Sequence, residues 1–158
     1  MSDKSCVAST AEDHVAASVL REVGRLAHMA DCAVGARLPA PVTVAQYAVL
    51  ETLSGHEGLS ITQLADIHTV SQPTMSSTVA KLRERGLVET RTKPGDRRAR
   101  FVTLTPEGQD MKAECDDAAR PVRSNLGAHL SCADWIALEQ LVASLNGHLS
   151  ETLRSLES

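Results

Sequence analysis

Two helix-start signals lie close together in the middle of the chain, and their spacing restricts the fold more than any other feature. Ser60 and Gln63 can form a capping box, in which each side chain bonds the backbone amide of the other residue. Ser71 can cap the next helix, and Pro73 fits the first turn of that helix, where a missing amide hydrogen is tolerated. The first helix is therefore short, at residues 61–68. Two short helices joined by a tight turn are typical of a helix-turn-helix.

The second of these helices has two different faces. Met75, Val79 and Leu82 recur at helical spacing and predict a buried stripe. The other positions are mostly small and polar, whereas a merely solvated helix would carry Glu, Lys and Arg. Short hydrogen-bonding side chains suit base edges and phosphates. The candidate DNA contacts on this helix are Ser71, Gln72, Pro73, Thr74, Ser76, Ser77 and Lys81.

After Gly86, which ends the helix, the apolar period changes from helical to alternating. Residues 87–92 and 99–104 both alternate, and residues 93–97 between them predict a turn. The pattern predicts a β-hairpin with a basic tip. The candidate DNA contacts on this hairpin are Lys93, Asp96, Arg97, Arg98 and Arg100.

Basic residues are concentrated around this hairpin although the whole chain is acidic. Residues 81–100 contain eight Lys or Arg and three Asp or Glu, so this segment carries 8 − 3 = +5. The net charge of the chain is −4, which leaves −9 for the rest. The distribution of charge matters more for nucleic-acid binding than the total. A solvated charged surface is the alternative interpretation, but the position directly after two capped helices favours DNA.

Helical patterns continue on both sides of this central region. Residues 1–11 are polar and aperiodic, which predicts a flexible tail, and residues 12–36 predict an amphipathic helix. A capping box of Thr43 and Gln46 begins a further helix at residues 44–53. The segment between the tail and the helix-turn-helix is therefore helical.

The last third of the chain predicts two long helices, within residues 106–156. Thr105 can cap the first of them, which Pro121 is expected to kink or interrupt, and Ser131 can cap the second. Their apolar faces need a partner, and the simplest partner is the same set of helices from a second copy. The predicted fold is mainly α with a small β-hairpin wing, in which a winged helix-turn-helix lobe at residues 42–105 is flanked by N- and C-terminal dimerisation helices.

The wing carries the most specific motif of the chain. Residues 94–108 read PGDRRARFVTLTPEG, which contains D-x-R followed by L-T-x-x-G. With Leu64-Ala65, Ser71-Gln72-Pro73-Thr74 and Gly86-Leu87-Val88, this segment resembles the MarR group of multiple-antibiotic-resistance-type regulators, and the match spans nearly the whole chain. The resemblance implies a homodimeric repressor that binds a pseudo-palindromic operator in double-stranded DNA, with half-sites about 10 base pairs apart.

The same resemblance assigns roles to individual wing residues. Arg98 would enter the minor groove and Asp96 would orient it, in keeping with the attraction of a narrow groove for a guanidinium. The alternative is that these two residues pair only to hold the hairpin. Ser77 stands where relatives often carry an arginine, so no base preference can be carried over.

The resemblance also implies that a signal releases the protein from DNA, either a small aromatic or phenolic acid or the oxidation of a cysteine. Cys32, Cys115 and Cys132 are the candidate redox residues. No two histidines have the i, i+4 spacing that places two ligands on one helix face, so neither a metal site nor a cofactor is expected.

Other classes of protein are disfavoured by the residues. No apolar run approaches the roughly 18 residues of a membrane span, and the cysteines form no disulfide or zinc pattern, so a cytoplasmic protein is expected. The common catalytic motifs are missing, so the chain is not expected to be an enzyme. A winged helix that binds only other proteins stays as the alternative, but it would not need a basic wing.

Overall fold

A computed structural model describes the backbone of residues 3–93 and 96–156 and the side chains of residues 12–92, 100–153 and 155. The helices in this part of the chain are α1 (Asp3–Gly35), α2 (Val44–Ser54), α3 (Ile61–Ile67), α4 (Gln72–Glu84), α5 (Pro106–Gly127) and α6 (Cys132–Leu156). The strands β1 (Val88–Lys93) and β2 (Asp96–Leu104) form an antiparallel hairpin. The predicted fold class, mainly α with a small hairpin, is confirmed.

The first of two compact units extends to Ala119 and contains the helix-turn-helix and the hairpin. Its main core joins α2, α3, α4 and both strands. Leu50, Leu64 and Leu82 are completely buried there, and each burial stabilises the fold by about 2 kcal/mol. The predicted stripe on α4, which includes Leu82, is buried and therefore faces this core.

Local bonds position the two helices of the helix-turn-helix. The capping box at α3 is formed, with Gln63 N donating to Ser60 Oγ at 3.1 Å and Ser60 N to Gln63 Oε1 at 2.9 Å. In the turn that follows, the Val70 amide donates to the Ala65 carbonyl at 3.0 Å. Thr69 has a φ of +52°, a left-handed conformation that costs a β-branched residue about 1–2 kcal/mol. The tight turn is thus held by the buried helices on either side.

The structure corrects the predicted start of α1 and decides between two predictions for α5. Helix α1 begins at Asp3 and not near residue 12, so the backbone of residues 3–11 is helical. No glycine or proline precedes Gly24, so nothing in the covalent chain ends the helix earlier. Pro121 does not interrupt α5, which continues to Gly127, so an interruption is excluded and the alternative of a kink stays a prediction.

The hairpin is longer than its alternation predicted. Lys93 and Asp96, both assigned to the turn by sequence, pair with each other at the ends of β1 and β2. The register shifts between Thr92 and Lys93, and this irregularity accommodates the additional pairing. Residues 94 and 95 of the predicted turn lie outside the described residues.

The second compact unit begins at Arg120 and includes all of α6. Ser131 caps α6 as predicted, because its Oγ accepts from the Asp134 amide at 3.2 Å. Trp135 Nε1 donates to the Gly127 carbonyl at 3.2 Å and ties the start of α6 to the end of α5. Large apolar side chains remain exposed along this helix, namely Ile136, Leu141, Leu145, Leu149 and Leu153. Among the described residues, no helix combines the length and hydropathy needed to cross a bilayer.

Candidate nucleic-acid interface

Helix α4 presents the candidate DNA contacts to solvent. Ser71, Gln72, Pro73, Thr74, Ser76, Ser77 and Lys81 are all exposed. They lie opposite the buried stripe, so the packing of Met75, Val79 and Leu82 fixes the direction in which they point. The polar face that the sequence predicted is therefore an accessible surface on a rigid element.

Two of these residues have a structural task at the start of the helix. Ser71 is the N-cap of α4, and its Oγ accepts from the Thr74 amide at 3.3 Å and lies 2.8 Å from Thr74 Oγ1. In contrast, the side chains of Gln72, Ser76 and Ser77 form no hydrogen bond within the described part of the chain. These three are consequently available to a ligand without breaking a cap.

The hairpin has an inner and an outer face because side chains alternate along each strand. Val102 is buried in the core and pairs with Thr90, so Thr90 and Arg100 share the inner face with it. Glu89 and Arg91 lie on the outer face, where Arg91 Nε donates to Glu89 Oε1 at 2.8 Å. The arginine of the outer face is thus paired with a carboxylate of its own strand.

The tip of the hairpin carries the remaining candidates. The side chains of Lys93, Asp96, Arg97 and Arg98 lie outside the described residues, so their roles stay predictions. Arg100 is described and exposed. Of the basic residues assigned to the wing, it is therefore the one that can be placed relative to α4.

A cleft of 260 Å³ separates the side of α4 from the inner face of the hairpin. Val79 and Val102 lie at its apolar side, and Ser76, Arg83, Thr90 and Arg100 supply its polar groups. Arg83 and Thr90 were not among the residues that the sequence predicted. Arg83 lies seven positions after Ser76 on the same side of α4, and this helical spacing could have identified it.

The junction between the hairpin and α5 fixes the wing to the rest of the lobe. Thr105 Oγ1 donates to the Gly86 carbonyl at 2.6 Å and accepts from the Gly108 amide at 3.0 Å. A Cβ at position 108 would lie 1.9 Å from the Leu87 carbonyl oxygen, so only glycine allows this approach. This contact gives a physical reason for the threonine and glycine of the L-T-x-x-G motif.

A partly buried polar network links α2 to α5 behind the candidate interface. The Tyr47 hydroxyl donates to Asp116 Oδ1 at 2.6 Å, and Lys112 Nζ contacts Asp116 Oδ2 at 2.6 Å. Next to Tyr47 in α2, the buried Gln46 accepts with its Oε1 from Arg85 Nη1 at 3.4 Å. The network connects the C-terminal end of α4, through α2, with the first half of α5.

The three candidate redox cysteines have different environments. Cys115 is completely buried, and burial, with smaller contributions from Glu114 and Asp116, raises the pKa of its thiol. A raised pKa disfavours the thiolate that oxidants attack. Cys32 and Cys132 are exposed, and Cys32 Sγ lies 3.8 Å from His28 Nε2. Within the described chain, no group of three or more His, Cys, Asp or Glu side chains could hold a metal ion.

The sequence is similar to those of known transcriptional regulators over the region that forms the winged helix-turn-helix. The profile of the MarR family matches residues 40–99, from the start of α2 into the wing. A transcriptional regulatory protein proposed for the hcr operon of Thauera aromatica is 32% identical over 111 residues, which cover 70% of this chain and 67% of that protein. Both matches include the helix-turn-helix.

Solved structures share the fold. A cysteine-to-serine mutant of Escherichia coli MarR in complex with operator DNA is 25% identical, with a TM-score of 0.66, over 78% of this chain and 93% of that one. BpsR of Bordetella bronchiseptica, whose DNA binding is regulated by 6-hydroxynicotinic acid, is 24% identical, with a TM-score of 0.70, over 82% and 98%. The chain therefore belongs to the MarR family and is a DNA-binding transcriptional regulator, not an enzyme.

Proposed function

We propose that the protein is a homodimeric repressor that a small aromatic or phenolic acid releases from its operator. The observation that carries the DNA-binding part is the exposed polar face of α4 beside a basic hairpin, both held by one buried core. In this arrangement α4 lies in a major groove and the wing at the adjacent minor groove. Arg98 would enter that minor groove, with Lys93, Asp96, Arg97 and Arg100 around it.

The exposed apolar faces of the terminal helices support the homodimer. Leu141, Leu145 and Leu149 of α6 are each close to half exposed or more, and α1 likewise exposes Val19 and Leu26. Faces of this kind are rarely left in water on a monomer. A two-fold dimer would present two copies of α4 to two half-sites about 10 base pairs apart, which explains why a pseudo-palindromic operator is expected.

The choice of a small aromatic acid as the effector rests on a precedent among the similar structures and on the environments of the cysteines. The regulation of BpsR by 6-hydroxynicotinic acid is a precedent for a small aromatic acid on this fold. Oxidation is the second candidate, because Cys32 and Cys132 are exposed. The buried Cys115 is poorly suited to it, since its raised pKa keeps the thiol protonated. Operator binding is in keeping with the cytoplasmic location expected from the sequence.

The proposal is tested by binding to a fluorescent fragment of the DNA that flanks the gene of this protein. We expect binding that exceeds binding to unrelated DNA by at least about 10³-fold and weakens steeply with salt. Aromatic acids and peroxide, added to the preformed complex, then distinguish the two release mechanisms. Equally weak binding to both DNAs, unchanged by wing substitutions, would favour the protein-interaction alternative.

Arg98→Ala tests the wing within the same assay. We expect weaker operator binding with an unchanged dimer, because the residue lies on the wing and not on the terminal helices. Light scattering measures the dimer independently of DNA. A variant that binds the operator as tightly as the parent would refute the assignment of Arg98.

A further inference from the structure

The cleft between α4 and the hairpin combines two arginines with two hydroxyl groups. Arg83 and Arg100 are both exposed, and neither forms an ion pair within the part of the chain that the structure describes. The hydroxyls of Ser76 and Thr90 line the same cleft and form no side-chain hydrogen bond there. Four hydrogen-bonding groups, two of them cationic, therefore surround one space, and no described carboxylate lines it.

The dimensions and charge of this space suit one small anion. Its volume of 260 Å³ lies below the roughly 300–1,000 Å³ of pockets that enclose drug-sized ligands. Arginine guanidinium groups present paired donors that match the oxygens of a phosphate. The chemistry thus points to a small anionic group, of which a phosphate is one.

The placement of the cleft identifies the source of that phosphate. Ser76 belongs both to the cleft and to the exposed face of α4, so the two surfaces are continuous. In duplex DNA, one sugar-phosphate strand separates each major groove from the neighbouring minor groove. If α4 occupies the major groove and the wing the minor groove, this strand has to cross the space between α4 and the hairpin.

We infer that Arg83 and Arg100 clamp one phosphodiester of the operator backbone between the recognition helix and the wing, with Ser76 and Thr90 as additional donors. The inference rests on the proposed function, because it requires α4 and the wing to occupy adjacent grooves. The clamp fixes the position of the protein along the duplex without reading a base. Arg83 is then a DNA-positioning residue, and sequence preference is left to the exposed residues of α4.

Arg83→Gln tests the clamp, with Arg91→Gln as the matched control. Both substitutions remove one positive charge, but Arg91 lies on the outer face of the hairpin and is already paired with Glu89. We expect Arg83→Gln to weaken binding by about tenfold or more, on operator and unrelated DNA alike. The slope of log K against log salt should fall by up to about 0.9 per protomer, because Arg100 still contacts the same phosphate. Arg91→Gln should have a much smaller effect on both quantities.

A second experiment locates the contact on the DNA. Neutral methylphosphonates replace single phosphates of the operator fragment one position at a time. One position per half-site should weaken binding of the parent protein most, and Arg83→Gln and Arg100→Gln should each be less sensitive than the parent at that same position. The double variant should lose less than the sum of the two single effects, because both arginines hold one group.

The outcomes separate the clamp from the proposed function. If the parent binds its operator specifically but Arg83→Gln and Arg91→Gln have equal effects, the clamp is wrong and the regulator assignment stands. The same holds if the two arginines respond to different phosphates. If the parent shows no specific binding, the proposed function itself fails. Circular dichroism of each variant checks that the fold is retained.

Discussion

Leu64 in α3 and Leu145 in α6 occupy apolar positions of two helices, yet solvent reaches 0% of Leu64 and 46% of Leu145. The first belongs to the continuous core of the winged-helix lobe. The second belongs to a row of exposed apolar residues along α6. Identical side chains therefore contribute differently to the stability of an isolated protomer.

The difference separates two sources of stability. Burial of a leucine is worth about 2 kcal/mol, so the lobe holds its DNA-binding residues in place by its own packing. The apolar face of α6 stabilises the protein only when another surface covers it. In the proposed dimer, the stability of this region would consequently depend on protein concentration, whereas the lobe would depend on it much less.

The largest loss of stability is expected at Gly108, where the packing of the winged-helix lobe leaves no space for a side chain. In Gly108→Ala, the new Cβ would lie 1.9 Å from the Leu87 carbonyl oxygen, so α5 has to move away from the hairpin. We expect the free energy of unfolding to fall by about 3–5 kcal/mol, measured by urea denaturation. Gly147→Ala in α6 is the control, because a Cβ there meets no atom within 4 Å. Equal losses at both positions would contradict the close contact.

The two leucines differ in the effect expected from truncation. Leu64→Ala leaves a cavity in a closed core and should lower the free energy of unfolding by about 2–5 kcal/mol at any protein concentration. Leu145→Ala should cost less than about 1 kcal/mol at protein concentrations where the chain is monomeric. Denaturation at several concentrations measures both variants. If both variants lost the same free energy of unfolding at every protein concentration, α6 would not depend on a partner for its stability, and the distinction between the lobe and α6 would be wrong.

The sequence predicted the parts of the fold that depend on local signals. The capping boxes at Thr43 and Ser60 and the cap at Ser131 are all present, because each depends only on residues three positions apart. The start of α1 was wrong because polar composition suggested a tail, whereas the backbone is helical from Asp3 onward. For Pro121 the sequence left two outcomes open, and the continuous α5 excludes an interruption, while the kink stays a prediction.

From the sequence, only those parts of the candidate site that lie on one helix or on the hairpin alone could be predicted. The exposed face of α4 followed from helical periodicity, and the basic residues of the hairpin followed from their clustering. The cleft needed a tertiary contact, because Arg83 and Arg100 come from different elements whose distance depends on the packing of Val79 and Val102. No spacing within one helix or strand could indicate that these two arginines face the same space.

A charge on α6 tests whether its apolar face is covered. Leu141 is 65% exposed in the protomer, so Leu141→Glu should leave the free energy of unfolding of the monomer nearly unchanged. In a dimer that buries this face, an unpaired carboxylate is costly, and we expect the dimer to dissociate at least tenfold more readily. Analytical ultracentrifugation measures this constant. Leu141→Gln is the neutral control, and an unchanged dissociation constant in the Glu variant would exclude Leu141 from the interface.

The smallest expected change in stability concerns His68, at the turn between α3 and α4. His68 ends α3, its Nε2 lies 3.1 Å from Thr52 Oγ1, and burial lowers the pKa of its imidazole below the ordinary 6.5. Between the lowered pKa and 6.5, the unfolded chain binds more protons than the folded one. The contribution of His68 to stability is therefore complete above pH 6.5 and is lost as the pH falls towards its folded pKa. Thermal denaturation between pH 5 and 8 should show a smaller loss of stability towards acid pH for His68→Gln than for the parent. Identical pH profiles for His68→Gln and the parent would contradict a lowered pKa of this imidazole.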